Sequence, residues 1–357
     1  MDLGGIYRIL FSAWGTAARR LPAGIAPPPL QLFFEISDRC TQKCAFCFYR
    51  GDLDTGAGGE LLDRREVERC VAAVPSARLV AFAGAEPFCR PDFVDILEAV
   101  SRRRITSVET NAQAVAPDLA RRLVRMSFSP GRMTGLASID ASIHGDARAH
   151  DKVTGVKGSH ARLVKNLRAI IEAREAAGRR FPLVHLKAVI GAENAGRLSA
   201  LHRFAGELGA DAFIVKLKDP HAMAFNVAGR RPMRGRIEKP KAIAAAALKD
   251  DLKKIRSHKK GPPFMTLPLG LDDRAILDHC GGDGPDLAGY TCSSPWTRLS
   301  VMPYGDYFFC KLFGYGNIRT DGPMKAWNAE PARAFRRTLA AGPLPAECEG
   351  CCFLTLK

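Results

Sequence analysis

Three of the eleven cysteines in this 357-residue chain fall within eight positions: Cys40, Cys44 and Cys47 in CTQKCAFC. Thiolates this close repel one another unless a cation sits among them, so the cluster points to a soft metal. A structural zinc site wants four ligands in a closed shell, and no fourth Cys or His lies near in the sequence. An iron-sulfur cube held by three thiolates leaves one iron open to a small molecule. Six more cysteines, Cys280, Cys292, Cys310, Cys348, Cys351 and Cys352, follow residue 279, and only Cys70 and Cys89 lie between the groups. Disulfide pairing is a poor account of them, because the count is odd, the chain is long and nothing marks it for export.

CTQKCAFC resembles the CxxxCxΦC motif of radical S-adenosylmethionine enzymes, with Phe46 as the aromatic before the third cysteine. The resemblance implies that Cys40, Cys44 and Cys47 hold a 4Fe-4S cluster whose open iron is chelated by S-adenosylmethionine. Reductive cleavage of that cofactor would give a 5'-deoxyadenosyl radical that abstracts hydrogen from substrate. By the same resemblance Phe46 packs near the adenine; the plainer reading is an aromatic that shields the cluster.

Such a loop needs a scaffold of alternating strands and helices, and the next 170 residues read that way. Leu30 to Ile36 is an apolar run ending just before the cysteines, as a buried parallel strand should. Strands are expected at 78–83, 106–110, 135–141, 183–190 and 212–217, with helices at 63–74, 91–101, 116–125, 159–176 and 198–208 between them. The fold class is α/β, and the resemblance makes it a partial (β/α)6 barrel. Ligands in such folds bind at the carboxyl ends of the strands. There Gly84-Ala85-Glu86-Pro87 is similar to the family's GGE motif, which contacts the amino group of S-adenosylmethionine, with alanine in place of the second glycine. Thr110-Asn111 resembles a family segment lining the cofactor pocket, and Ser138 and Asp140 stand where the family often places ribose or substrate contacts. The plainer readings are that Asn111 caps a turn, Asp140 pairs with a lysine and Ser138 satisfies backbone.

In the last sixty-odd residues, Pro303-Tyr304-Gly305 reads as a hairpin turn that places Cys292 and Cys310 near the outer ends of two paired strands. Cys348 and Cys351 would complete four thiolates, a closed set that zinc and an auxiliary 4Fe-4S cluster both satisfy. The pattern resembles the shortened SPASM, or twitch, extension of radical S-adenosylmethionine enzymes, which implies one auxiliary cluster. The expected organisation is an N-terminal extension (1–29), the barrel (30–218), a basic linker beside the substrate (219–279) and a small auxiliary iron-sulfur domain containing the hairpin (280–357). Cys280 is the candidate hydrogen donor to a substrate radical; otherwise it is a small buried apolar residue. Cys352 is an alternative to Cys351, and Cys70 and Cys89 have no assigned part.

The formal charge is +16, and residues 216–260 carry 14 Lys+Arg against 4 Asp+Glu. Arg230, Arg231, Arg234 and Arg236 suit a carboxylate or phosphate, whereas residues 241–260 also read as an exposed amphipathic helix. Base-stacking aromatics are almost absent there, which argues against nucleic acid. Arg8, Arg19 and Arg20 break the best N-terminal apolar run, so neither a membrane span nor a cleaved signal peptide is expected, and the chain reads as cytoplasmic. The leading expectation is an enzyme that dehydrogenates, epimerises or decarboxylates a polar, anionic small molecule such as a sugar or nucleoside in natural-product biosynthesis, reduced by a flavodoxin or ferredoxin. A maturase of a ribosomally made peptide is the alternative, set against it by the roughly 29 residues before the first strand, too few for a peptide-recognition domain. A non-catalytic iron-sulfur or zinc electron carrier is the reading from another class.

Overall fold

Strand β1 (Gln31–Glu35) sets a pattern that the sheet repeats. Leu32 and Phe34 are fully buried beneath helices, while Gln31, Phe33 and Glu35 alternate onto the other face, as a two-residue pleat requires. The computed structural model describes residues 11, 13–47, 49, 53, 59–219, 221–223, 233–236, 243–281 and 286–357. After β1 the chain alternates through α1 (Arg64–Ala73), β2 (Leu79–Ala83), α2 (Phe93–Ser101), β3 (Ile105–Thr110), α3 (Pro117–Arg125) and β4 (Gly135–Ser142). Two helices, α4 (Ala147–Thr154) and α5 (Ser159–Ala176), precede β5 (Leu183–Val189), and α6 (Leu198–Leu208) precedes β6 (Ala212–Lys216). Helix starts follow from local chemistry: Asp63 and Glu66 form a reciprocal capping box on α1, and Pro117 opens α3. The core lies between sheet and helices, where Phe34 stacks on Phe82 and Phe82 meets the edge of Phe93. Each such side chain contributes about 1.5–3 kcal/mol by leaving water.

Beyond β6 come β7 (His221–Met223), β8 (Met233–Arg236), α7 (Ala245–Ser257), β9 (Phe264–Leu267) and α8 (Asp273–Cys280). Then follow β10 (Tyr290–Cys292), α9 (Ser294–Thr297), β11 (Arg298–Val301), β12 (Asp306–Cys310) and β13 (Phe313–Asn317). Helices α10 (Pro323–Trp327) and α11 (Glu330–Ala341) and the short β14 (Leu354–Leu356) end the chain. The main sheet has ten strands in the order β13-β12-β11-β1-β2-β3-β4-β5-β6-β9. Strands β1 to β6 are parallel, so the expected α/β fold is present.

Three features depart from the expectation. Helix α4 was not foreseen, and β9 extends the sheet in parallel beyond β6. At the other edge β11 pairs in parallel with β1, from Gln31↔Arg298 to Phe34↔Val301, so the C-terminal hairpin prolongs the barrel sheet. Its turn is at Pro303-Tyr304-Gly305 as expected, with Gly305 N donating to Met302 O. Cys310 ends β12, but Cys292 ends β10, which pairs with β14, and the helical turn α9 separates it from the hairpin.

Within the basic segment, Arg230 and Arg231 lie outside the described residues, and Arg234 and Arg236 fall in β8. Helix α7 is amphipathic as expected, burying Leu248, Leu252 and Ile255. It also buries Asp251, whose carboxylate accepts from Leu198 N and Ser199 N and so caps α6 from a neighbouring element. No helix among the described residues is long and apolar enough to cross a membrane.

The two ends of the sheet are tied where Lys311, just after β12, meets Asp219, just after β6, at 2.7 Å. Both side chains are largely buried, and Lys311 also donates to Glu349 O. Asp219→Ala leaves a buried ammonium without its carboxylate, so urea unfolding should show a loss of about 3–5 kcal/mol. The double variant with Lys311→Met should recover most of that loss.

Candidate active site

The cysteine loop leaves the carboxyl end of β1 and is held at several points by backbone. Ile36 N donates to Ala83 O and Ala85 N to Ser37 O, while Lys43 N and Ala45 N donate to Thr154 O and Val153 O at the end of α4. Gly84 makes the first of these contacts possible. Its φ is +119°, and a Cβ there would lie 2.8 Å from Ser37 O. Ala85 is not among the residues of positive φ, so the alanine fits without strain; the left-handed residue is Ala112, at φ 55°.

Burial pushes the Cys40 and Cys44 thiols up to about 12. The charges that act on Cys40 are Glu86, Cys44 and Cys89, and on Cys44 it is Cys47, all of which add to the rise. Cys40 and Cys44, partly buried beside Cys47 and a carboxylate, need an external positive charge to ionise, which fits a metal cluster. Among the described residues no three His, Cys, Asp or Glu side chains are arranged to hold a single metal ion.

Glu86 is fully buried and connects the neighbouring strands. One carboxylate oxygen accepts from Thr110 Oγ1 at 2.7 Å and from Phe88 N at 3.1 Å, the other from Asn111 N at 2.6 Å. Burial raises its pKa to about 7 although all three hydrogen bonds oppose the rise. Asn111 forms the turn expected of it, Gln113 N donating to its Oδ1, and its Nδ2 reaches Cys40 Sγ at 3.6 Å and Thr41 Oγ1 at 3.4 Å. Phe46 sits edge-on to His144, 4.9 Å between centroids. Ser138 hydrogen-bonds Asp140, whose Oδ1 meets His185 Nδ1 at 2.8 Å with Lys187 at 3.8 Å. Burial works against the charge on Asp140, yet His185 and Lys187 hold its pKa down to about 2.

The inner face of the sheet carries charge that the sequence reading did not foresee. Glu35, Glu109, His185, Lys187, Lys216 and Arg298 share the lumen with Asp140. Lys187 pairs with Glu109 at 2.8 Å, and Glu35, bonded to Tyr49, is raised to about 7 by burial. The signal was available, since charges at every second position of otherwise apolar strands mark a face turned to a cavity. The hairpin closes one side: Tyr304 OH donates to the buried Asp38 at 2.8 Å, and Met302, Tyr304 and Phe308 pack with Tyr49, against which Cys47 and Ala85 also rest.

Cys292, Cys310, Cys348 and Cys351 are brought together, each acting electrostatically on others of the four. Burial raises all four, and Lys311 opposes the rise at Cys348 and Cys351. Gly350 lets the last turn lie against β6's exit: its φ is +69°, and a Cβ would come 2.3 Å from Lys218 O. Cys352 acts on Lys216 and Arg298, as Cys351 also does, and on Cys351 itself. Cys280 is 6% exposed within the apolar core, where burial alone raises it to about 12. That environment matches the small-apolar reading and does not bring Cys280 to the lumen. Cys70 is likewise a core residue of α1.

Residues 34–179 match the model of the radical SAM superfamily, and residues 292–352 match the SPASM iron-sulfur cluster-binding domain. A tungsten-containing aldehyde ferredoxin oxidoreductase cofactor-modifying protein of Pyrococcus furiosus is 24% identical over 192 residues, covering 52% of this chain and half of that protein. A PqqA peptide cyclase of Xanthomonas campestris is 23% identical over 348 residues, 91% of this chain and 80% of the cyclase. The structure of SuiB of Streptococcus suis bound to its precursor peptide SuiA superposes with a TM-score of 0.63 at 18% identity, over 94% of this chain and 73% of SuiB. At that identity the likeness is one of fold.

Glu86 titrates in the folded chain near pH 7 and in the unfolded chain near 4.5. Its contribution to stability is therefore complete below about pH 4.5 and lost as the pH rises through 7. Glu86→Gln has no proton to lose. Relative to wild type, the metal-free variant should gain about 1.4 kcal/mol per pH unit between pH 5 and 7 in denaturant titrations. A pH-independent difference contradicts the assignment.

Proposed function

Because the chain belongs to the radical S-adenosylmethionine superfamily and carries a SPASM-type iron-sulfur domain, we propose that it uses that chemistry to modify a residue within a peptide. The observation that carries this reading is the end-to-end likeness to a peptide cyclase, over 91% of this chain. The fold shared with a precursor-peptide-bound enzyme supports it. It replaces the small anionic molecule as the leading substrate class.

Cys40, Cys44 and Cys47 would hold the cluster that binds S-adenosylmethionine, and Cys292, Cys310, Cys348 and Cys351 the auxiliary one. When bound, the first cluster and its cofactor supply an electron and a carbon-centred radical able to take hydrogen from an unactivated C–H bond. A flavodoxin- or ferredoxin-type carrier would deliver that electron. Glu86 would hold the cofactor's amino group: three of its acceptor positions are taken by Thr110, Asn111 and Phe88, which leaves one aimed by the others. Asn111 steadies Cys40 from the same turn. Phe46, Gly84, Ser138 and Asp140 complete the proposed cofactor contacts, the last fixed in its ionised form by His185.

Anaerobic reconstitution should give about eight irons per chain, falling to about four in Cys310→Ala. Cys40→Ala should abolish reductant-dependent 5'-deoxyadenosine formation, whereas Cys310→Ala should retain it. Incubation with small peptides encoded beside the gene should then change the mass of one of them. Turnover of sugar phosphates or nucleotides with no peptide modified would sink the peptide reading.

A further inference from the structure

Arg298 is the first residue of β11 and projects into the lumen beside Gln31, whose Oε1 accepts from its Nε at 2.9 Å. Its guanidinium lies 3.6 Å from the ring centroid of Phe353 and 5.3 Å from that of Phe33. Both rings hold the cation by cation–π attraction. Nη1 is buried and has no hydrogen-bond partner among the described residues. Further along the same wall, Glu35 Oε2 is a second buried atom without a partner. Lys216, on β6, and Arg298 both feel the charges of Cys352, Cys351 and Glu109, and Arg298 also that of Cys292, so both cations lie within electrostatic reach of Glu109 and of the C-terminal thiols. A buried guanidinium that keeps one amino group without an acceptor is costly, and an anion on that group offsets the cost.

We propose that Arg298, with Lys216 beside it, forms a carboxylate-binding subsite that takes an acidic residue of the peptide substrate. This rests on the peptide reading above. A flat guanidinium matches a planar carboxylate through two parallel N–H bonds. Glu35 Oε2 is placed to meet a backbone N–H of the same substrate. An acidic side chain and a free peptide C-terminus offer the same chemistry, and the arms of the experiment separate them.

The test uses protein carrying both clusters and calorimetric titration with blocked alanine pentapeptides whose central residue is Glu, Asp, Gln or Asn. A Gln peptide with a free C-terminal carboxylate, and glutarate as a non-peptide probe, complete the set. Wild type should bind a Glu or Asp peptide at least about tenfold more tightly than its amide counterpart. In Arg298→Gln that ratio should fall to near one. Arg298→Lys keeps the charge but not the planar guanidinium, and should retain a reduced preference; it serves if Arg298→Gln does not fold. Preference only for the free C-terminus would overturn the side-chain assignment. Peptides bound without acidic preference leave the peptide reading standing and overturn the subsite. Glutarate bound in an Arg298-dependent way, with no peptide bound, supports the subsite and removes the peptide reading. Binding of no probe overturns it, as does a shifted auxiliary-cluster potential in Arg298→Gln with the acid-to-amide ratio unchanged.

Discussion

The geometry of the candidate site depends on one buried carboxylate. Glu86 leaves β2 and receives hydrogen bonds from both the side chain and the backbone at the end of β3. Through Asn111 the same turn touches Cys40 and Thr41, so the position of the first cysteine is linked to the register of β2 against β3. Such an arrangement needs a residue without Cβ at Gly84, where the exit of β2 crosses the exit of β1. A carboxylate buried this deeply resists ionisation, and a bound cationic amino group would offset that cost.

The C-terminal hairpin belongs to the same argument. Because β11 pairs with β1, the hairpin turn lies over the cysteine loop, and Tyr304 reaches Asp38 at its base. Asp219 and Lys311 join the exit of β6 to the exit of β12, and Gly350 packs on Lys218. These contacts bring Cys292 and Cys351 within electrostatic reach of Arg298 on the inner face of the sheet. Four buried thiolates around an iron cube leave net negative charge, and Lys311 lies where it lowers the cost at two of them.

Much of this was legible in the amino-acid sequence, for identifiable reasons. The barrel strands were readable because Leu32, Phe34, Val80 and Phe82 are apolar runs bounded by loops, and CTQKCAFC because spacing itself encodes the ligand loop. The four C-terminal thiols were readable as a set from CxxC plus two. What escaped were pairings between distant segments. Nothing local in Arg298 or Gln31 says that β11 joins β1 in parallel, and the turn at Pro303 predicts only the antiparallel partner. Helix α4 escaped because its eight residues bury only His150, Val153 and Thr154, too few for a clear period. Of the two readings of Cys280, the sequence could not choose, because its neighbourhood in sequence contains glycine and histidine whereas its neighbourhood in space is the core.

The charge of the chain takes on a different meaning once its positions are known. The dense basic run between residues 216 and 260 suggested an anionic substrate, yet Lys249, Lys253, Lys254 and Arg256 lie on the solvent-facing side of α7. Among the described residues Lys187, Lys216 and Arg298 are cations on the lumen face, and Lys187 pairs with Glu109. An exposed arginine contributes little because water and salt screen it, whereas a buried one in a low-dielectric cavity must find a counter-charge. Selectivity for an acidic group would therefore come from Arg298, one side chain set against Phe33 and Phe353.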